Sequence, residues 1–373
     1  MSRSIRVLLI EPSGMHLEFL YSQIIMLLSS GCMVSTGLCR KSFETDLISS
    51  IKDRTKFIVR NDKEPVLIFL LRLQIHAIYS STDLIIFNSI EKFFHKLIYL
   101  CFFWFTPVAG IMHKRLEVIE KSELIDRLIE KKMVNICYYR KLNADDSMNH
   151  QISKKANLFY PIHTRNFLRS RSIHLGMSAN KELVNIGIVD NDLIAVEDYL
   201  EFIERISLLD AAYRNKIGEI SIFKVNNKNS EIISDKMAEN KVSGNVTVIN
   251  RCICYEEIYR MAGKLHFVMP FVKSGGRGQF FGDQTGFNAA ISMALVVKKP
   301  LILPDNFQLE MSLQPVAVFY PDEFMESGII EALEMQPEKY NKICLNFGNL
   351  DESSEEMQLL LYRKMLRSSL KRS

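Results

Sequence analysis

Leu265-His266-Phe267-Val268-Met269-Pro270, Ser274-Gly275-Gly276-Arg277-Gly278, Gln284-Thr285-Gly286-Phe287-Asn288 and Leu301-Ile302-Leu303 follow one another within forty residues and decide the fold. A helix-like run, Tyr255–Ala262, leads into an apolar strand over Leu265–Met269 that Pro270 closes. A glycine-rich loop comes next, then a helix start at Thr285–Asn288 and a helix over Asn288–Val297. Lys298-Lys299-Pro300 ends that helix before the strand Leu301–Leu303. Strand, polar loop, helix N-terminus and strand is the order in which a parallel α/β domain offers backbone N–H groups to a phosphate. A nucleotide-linked substrate is the first expectation it raises.

The same grammar extends outward. Ile5–Ile10 reads as a buried strand, Met15–Ser29 as a helix, Met33–Cys39 and Lys56–Val59 as strands, and Val66–Tyr79 as a helix. Leu84–Asn88, Val108–Met112 and Met133–Tyr138 read as strands, with helices over Ile90–Phe103 and Ser122–Glu130. A polar break at Lys141–Lys155 and a basic loop through Arg165, Arg169 and Arg171 mark a domain boundary. The pattern restarts with strand Leu183–Val189, helix Val196–Ala211, strand Ile217–Val225, polar loop Asn226–Ser234 and strand Asn245–Asn250. An amphipathic helix over Ser354–Leu370 closes the chain. Continuous apolar strands between amphipathic helices imply parallel sheets covered on both faces. The expected architecture is α/β, with two Rossmann-like, doubly wound domains facing each other across a cleft. Residues 1–160 form the first domain, 161–353 the second, and 354–373 a helix that crosses back onto the first.

Composition narrows the function classes. With 373 residues, two domains are the natural division. A net charge of +4 is too small to imply nucleic acid by itself. The seven cysteines are odd in number and lie mostly in apolar runs, which reads as a reduced, cytoplasmic protein. Cys252 and Cys254 are poorly spaced for a structural zinc site, and no metal is expected. Ile5–Ile10 is too short for a secretory core. The run Leu97–Met112, with Phe102-Phe103-Trp104-Phe105, is shorter than a spanning helix needs and is interrupted by Pro107 and Gly110. It reads as a buried helix end followed by a strand, with a membrane-surface patch as the alternative.

In open parallel sheets, ligands collect beyond the carboxyl ends of the strands. In the first half those ends carry Glu11-Pro12-Ser13-Gly14-Met15-His16, Asn88-Ser89 and His113. In the second half they carry Asp190-Asn191, Asn226-Asn227, Asn250-Arg251 and the loop Lys273–Asn288. One side offers a carboxylate and imidazoles; the other offers amides, arginines and backbone donors. Base chemistry beside anion binding suits transfer of a group from a nucleotide carrier.

Four stretches resemble bacterial glycosyltransferases of the GT-B class found in surface-polysaccharide biosynthesis. They are Ile10–His16, Gly110-Ile111-Met112-His113, Asn185-Ile186-Gly187-Ile188 with the later Asp198-Tyr199, and Gly263–Pro304. The resemblance implies a nucleotide-sugar donor on the second domain and a glycan or lipid-linked oligosaccharide acceptor on the first. Thr285, Gly286 and Asn288 would face the donor diphosphate, and Tyr255 and Glu256 its base and ribose. Gly187, Asn226, Arg251 and Lys273 complete the implied donor set. Glu11, His16 and His113 are the implied catalytic residues, with Glu11 or His16 as base if the reaction inverts. No cofactor is implied beyond the donor, and diphosphate charge would be met without a metal.

One departure stands out. Many retaining members carry two glutamates eight positions apart on the helix before the Lys-Pro turn, and those positions are Thr285 and Met293 here. Two alternatives therefore stay open: a non-catalytic relative that supports an enzyme partner or binds glycan, and a sugar-nucleotide epimerase. The basic C-terminus, with Arg363, Lys364, Arg367, Lys371 and Arg372, suits peripheral contact with an anionic membrane at its cytoplasmic inner face.

Overall fold

The computed structural model describes residues 4–12, 17–88, 106–112, 133–138, 156–158, 164, 166, 183–189, 195–225, 227–250, 254–271, 285–305, 309, 313–321, 324–350 and 354–370. The chain forms two compact units, Met1–Phe167 with Glu352–Ser373, and Leu168–Asp351.

In the first unit, β1 (Arg6–Glu11) is followed by α1 (Leu17–Ser29), β2 (Met33–Cys39), β3 (Lys56–Arg60), α2 (Val66–Tyr79) and β4 (Leu84–Phe87). Strands β5 (Val108–Met112), β6 (Met133–Tyr138) and β7 (Ala156–Leu158) complete a seven-stranded sheet in the order β3-β2-β1-β4-β5-β6-β7. Every pairing is parallel. Val7, Leu8, Leu9 and Ile10 of β1, and all four residues of β4, are buried. That is why these strands read as unbroken apolar runs rather than alternating ones. Gly37 sits where α2 crosses β2, and a methyl group there would press on the Leu73 side chain at 2.7 Å. The helices expected over Ile90–Phe103 and Ser122–Glu130 lie outside the described residues.

The second unit repeats the plan. Its elements are β8 (Val184–Val189), α3 (Val196–Ser207), β9 (Ile217–Val225), α4 (Asn227–Glu239), β10 (Val246–Asn250), α5 (Tyr255–Ala262), β11 (Phe267–Pro270), α6 (Thr285–Val297), β12 (Leu301–Pro304), β13 (Ala317–Tyr320), α7 (Met325–Glu334) and α8 (Pro337–Asn346). The order β10-β9-β8-β11-β12-β13 is again all parallel. The expected polar loop at Asn226–Ser234 is corrected here, since α4 starts at Asn227. Its first turn is Asn-Lys-Asn-Ser, so polarity hides the helix. Ile233 and Met237, four apart, are nonetheless buried, and a parallel β9–β10 pair requires a crossover element. The single helix expected over Val196–Ala211 ends at Ser207, and a separate turn of helix occupies Ala211–Arg214.

The last helix, α9 (Glu355–Leu370), belongs to the first unit. Tyr362 Oη donates to Gln23 Oε1 of α1 at 3.1 Å, and Arg363 Nη2 donates to the Ser29 carbonyl at 2.7 Å. Tyr362, Met365 and Leu366 are buried. Burying such side chains stabilises by roughly 1.5–3 kcal/mol each relative to leaving them exposed. Among the described residues, no helix is long and apolar enough to cross a membrane.

Candidate functional site

A doubly wound sheet reverses its winding where strands one and four lie side by side, and the loops after those strands splay apart there. In the first unit this switch point is the β1/β4 pair. Glu11 is the last residue of β1 and Asn88 follows β4, its N–H donating to the Ile10 carbonyl at 2.9 Å. Both side chains are fully buried. Asn88 Nδ2 donates to Glu11 Oε2 at 2.8 Å, and Gln23 Nε2 of α1 donates to Asn88 Oδ1 at 2.5 Å. Gln23 Oε1 accepts from Tyr362, so four side chains form one relay, every donor pointing toward the Glu11 carboxylate. A carboxylate removed from water is costly unless hydrogen-bonded, and this relay supplies bonds from inside the fold. Glu11 is thus set at the expected strand end, held from within the first unit. His16 and His113, its expected companions, lie outside the described residues.

Asn88 was legible as a residue after a strand, but Gln23 and Tyr362 were missed as part of the site. Gln23 did leave a signal. It is the one amide in the apolar run Leu17–Leu28, and a buried polar side chain in such a run needs a partner.

In the second unit the switch point is the β8/β11 pair. Among the described residues the strand ends here are apolar, and the expected Asp190-Asn191 lie outside the described residues. Phe271 follows β11, its N–H donating to the Val189 carbonyl at 3.0 Å, and both residues are buried. The Phe271 ring packs on Tyr199 with centroids 4.5 Å apart and on Phe202 at 5.6 Å. Asp198, beside Tyr199, accepts from the Ala195 N–H at 3.2 Å and so caps its own helix. The next element after β11 is α6, whose helical backbone begins at Thr285 and includes Gly286 and Asn288. A helix that follows a parallel strand starts on the carboxyl side of the sheet, where its unpaired N–H groups and dipole favour an anion.

The remaining expected donor residues fall as follows. Tyr255 and Glu256 open α5, are half-buried, and follow β10 on the same side of the sheet. Tyr255 stacks on Tyr259 with ring centroids 6.5 Å apart. Gly187 sits in the middle of β8, paired with Val268 and Ser221. A methyl group on Gly187 would collide with Leu265 Cδ1 and reach Phe223 Cε2 at 3.1 Å, which gives that glycine a packing reason. Asn226, Arg251 and Lys273 lie outside the described residues, as does the loop Ser274–Gly278. Met293, where the resemblance placed a glutamate, is buried among the apolar residues of α6.

A second set of titratable groups occupies the opposite, amino end of this sheet. His266 precedes β11 and is buried, with Nδ1 accepting from the Asn185 N–H at 2.9 Å, and Tyr340 Oη donates to the His266 carbonyl at 3.3 Å. Lys299 precedes β12, and burial pushes its ammonium pKa down. His266 and Tyr340 thus tie β11 to β8 and α8 at the end away from the switch point. Among the described residues, no group of three or more potential ligands could hold a metal.

No family model and no curated protein matches the sequence. Solved structures do match in fold. A glycosyltransferase from Rickettsia africae ESF-5 superposes with a TM-score of 0.63 at 11% identity, covering 100% of both chains. HepE of Anabaena, in complex with UDP-glucose, gives 0.61 at 10% identity, covering 99% of this chain and 100% of its own. A UDP-GlcNAc 2-epimerase from Neisseria meningitidis, bound to UDP-GlcNAc, gives 0.59 at 14% identity, covering 96% and 100%. At such identities the likeness is one of fold, and it extends over the whole chain. The chain has the two-domain α/β fold of the GT-B glycosyltransferases.

Proposed function

We propose that the chain is a glycosyltransferase that moves a sugar from a nucleotide-sugar donor to a glycan or lipid-linked acceptor in surface-polysaccharide biosynthesis. The observation that carries this reading is the second switch point. An apolar floor at Val189 and Phe271 is followed by a helix whose N-terminus starts at Thr285 on the carboxyl side of the sheet. In this reading the α6 N–H groups with Thr285, Gly286 and Asn288 hold the donor diphosphate. Arg251 and Lys273 offset the charge that develops as the glycosidic bond breaks, without a metal. Tyr255 and Glu256 contact the base and ribose, alongside Asn226. Glu11, His16 and His113 serve the acceptor hydroxyl from the first unit, and the basic end of α9 meets an anionic membrane.

A second reading, a sugar-nucleotide epimerase, is favoured by the fold match to the Neisseria enzyme across that enzyme's full length. One experiment tests both. The protein is incubated with a panel of nucleotide sugars, with and without a metal chelator, while thermal stability, nucleoside diphosphate release and the recovered sugar are followed. Stabilisation by a nucleoside diphosphate with chelator-insensitive release supports transfer. Recovery of an isomerised sugar supports epimerisation instead, and no nucleotide binding at all sinks both readings. Gly286→Val is expected to weaken nucleoside diphosphate binding about tenfold or more, since a side chain there blocks close backbone approach. Unchanged affinity would remove the donor site from α6.

A further inference from the structure

From the outer face of α2 we infer a membrane-docking surface on the first unit, one that takes the headgroup region of an anionic bilayer. The inference stands independently of the transferase reading. Helix α2 is apolar on nearly every side: Phe69, Leu70, Leu73 and Ala77 face the sheet and are buried. Yet Leu67, Ile68, Leu71, Ile75, Ile78 and Tyr79 are exposed, each between 45% and 86%. At about 100° per residue these six fall within roughly 120° of the helix circumference, so they form one stripe along its whole length. A single exposed leucine needs no explanation, whereas six in a contiguous stripe mark a surface that something else covers.

The charges around the stripe select the occupant. Between Pro65 and Thr82 the sequence holds no carboxylate at all. Arg72 lies at the margin of the stripe, its Nη2 donating to the Val59 carbonyl of β3 at 2.7 Å and to Glu64 at 3.0 Å. The ground beneath that margin is basic. Lys56 and Arg60 of β3, with Lys63 and Arg72, outnumber Asp62 and Glu64 there, and Glu64 is already engaged by Arg72. A second copy of this chain, meeting the face by a two-fold axis, would bring those cations onto their own images. An anionic lipid surface meets both halves of the pattern: acyl chains and glycerol region against the aliphatic stripe, phosphates against the lysines and arginines. Tyr79, the most exposed of the six, ends the helix with a ring whose polar tip suits the interface. The helix spans only 14 residues, which fits lying in the interface rather than crossing it.

The test is sedimentation of the full chain with vesicles of phosphatidylglycerol and phosphatidylcholine, against vesicles of phosphatidylcholine alone. Wild-type protein is expected to prefer the anionic vesicles by about tenfold and to release from them as salt rises. Leu71→Gln with Ile75→Gln is expected to lower that binding about tenfold or more while far-UV circular dichroism and Tm stay at wild-type values. Ile68→Gln with Ile78→Gln, on the same stripe, repeats the test should the first pair fold poorly. Wild-type vesicle binding by both folded double variants overturns the inference, as does binding that falls only with Arg367→Ser in α9. A wild-type dimer that either double variant converts to monomer, with no vesicle binding by either form, assigns the stripe to self-association and overturns it equally.

Discussion

The two switch points share a topology and differ in chemistry. At β1/β4 the strand ends carry a carboxylate and an amide, tied through Gln23 to Tyr362 on the last helix of the chain. At β8/β11 they carry Val189 and Phe271, packed under Tyr199 and Phe202 of α3. The first unit therefore ends its central strands in polar side chains joined by a buried relay. Among its described residues, the second unit packs its switch point with aromatic rings, and α6 follows on the carboxyl side. The same winding order can serve either purpose because the sheet fixes only where the strand ends lie, and one or two residues after each strand decide what they offer.

The aromatic floor carries the largest expected effect. Phe271→Ala removes a fully buried ring and its two aromatic neighbours, so chemical denaturation of the second unit is expected to lose about 3–5 kcal/mol. A loss below about 1 kcal/mol would mean that the floor is not packed as described. The polar counterpart is Asn88→Ala, which deletes the amide between Glu11 and Gln23. It is expected to cost about 2–3 kcal/mol, because a buried carboxylate and a buried amide each lose a partner. Asn88→Asp, similar in size, should do no better, since it sets a second carboxylate against the first. Wild-type stability in Asn88→Asp would mean that the Asn88–Glu11 contact contributes nothing to the fold.

Gly187 sharpens the contrast from within the second sheet. Gly187→Ala drives a methyl group into Leu265 and is expected to cost about 1–3 kcal/mol. Combining it with Leu265→Ala should cost less than the sum of the two single changes, because each relieves the other. Strict additivity, joined to a specific loss of nucleoside diphosphate affinity, would shift Gly187 from packing to donor contact.

The strands of both sheets could be read from the sequence because parallel strands covered on both faces are continuous apolar runs. Met33–Cys39, Val108–Met112, Met133–Tyr138 and Ile217–Val225 are strands over the residues expected. The helix α2 was equally plain, yet its outer stripe was not, because an all-apolar sequence does not say which side faces the sheet. Helix α4 was lost for the opposite reason: its exposed face is so polar that the buried pair Ile233 and Met237 did not register as periodic. The break after Ser207 carries no glycine or proline to announce it. At the site, the start of α6 and the place of Glu11 were legible as strand-end grammar. The relay was not, since Gln23 and Tyr362 are 339 positions apart and meet only because α9 returns to the first unit.

That return gives the smallest and most discriminating effect. Tyr362→Phe keeps the buried ring and removes only the hydroxyl that donates to Gln23 Oε1. A neutral hydrogen bond contributes about 0.5–1.5 kcal/mol net, so a loss of about 1 kcal/mol is expected. The informative quantity is its coupling to Asn88. Gln23 links the two residues, its amide nitrogen donating to Asn88 and its oxygen accepting from Tyr362. Fixing one end of that amide fixes the other, so the Tyr362→Phe and Asn88→Ala losses should fall short of additive by about 0.5 kcal/mol or more. In a Gln23→Leu background, which cuts the relay at its centre, the coupling should vanish. Full additivity in the Gln23 protein would reduce the relay to separate contacts. Measured coupling would instead mean that α9 sets the orientation of the amide facing Glu11, a link without counterpart among the described residues of the second unit's apolar floor.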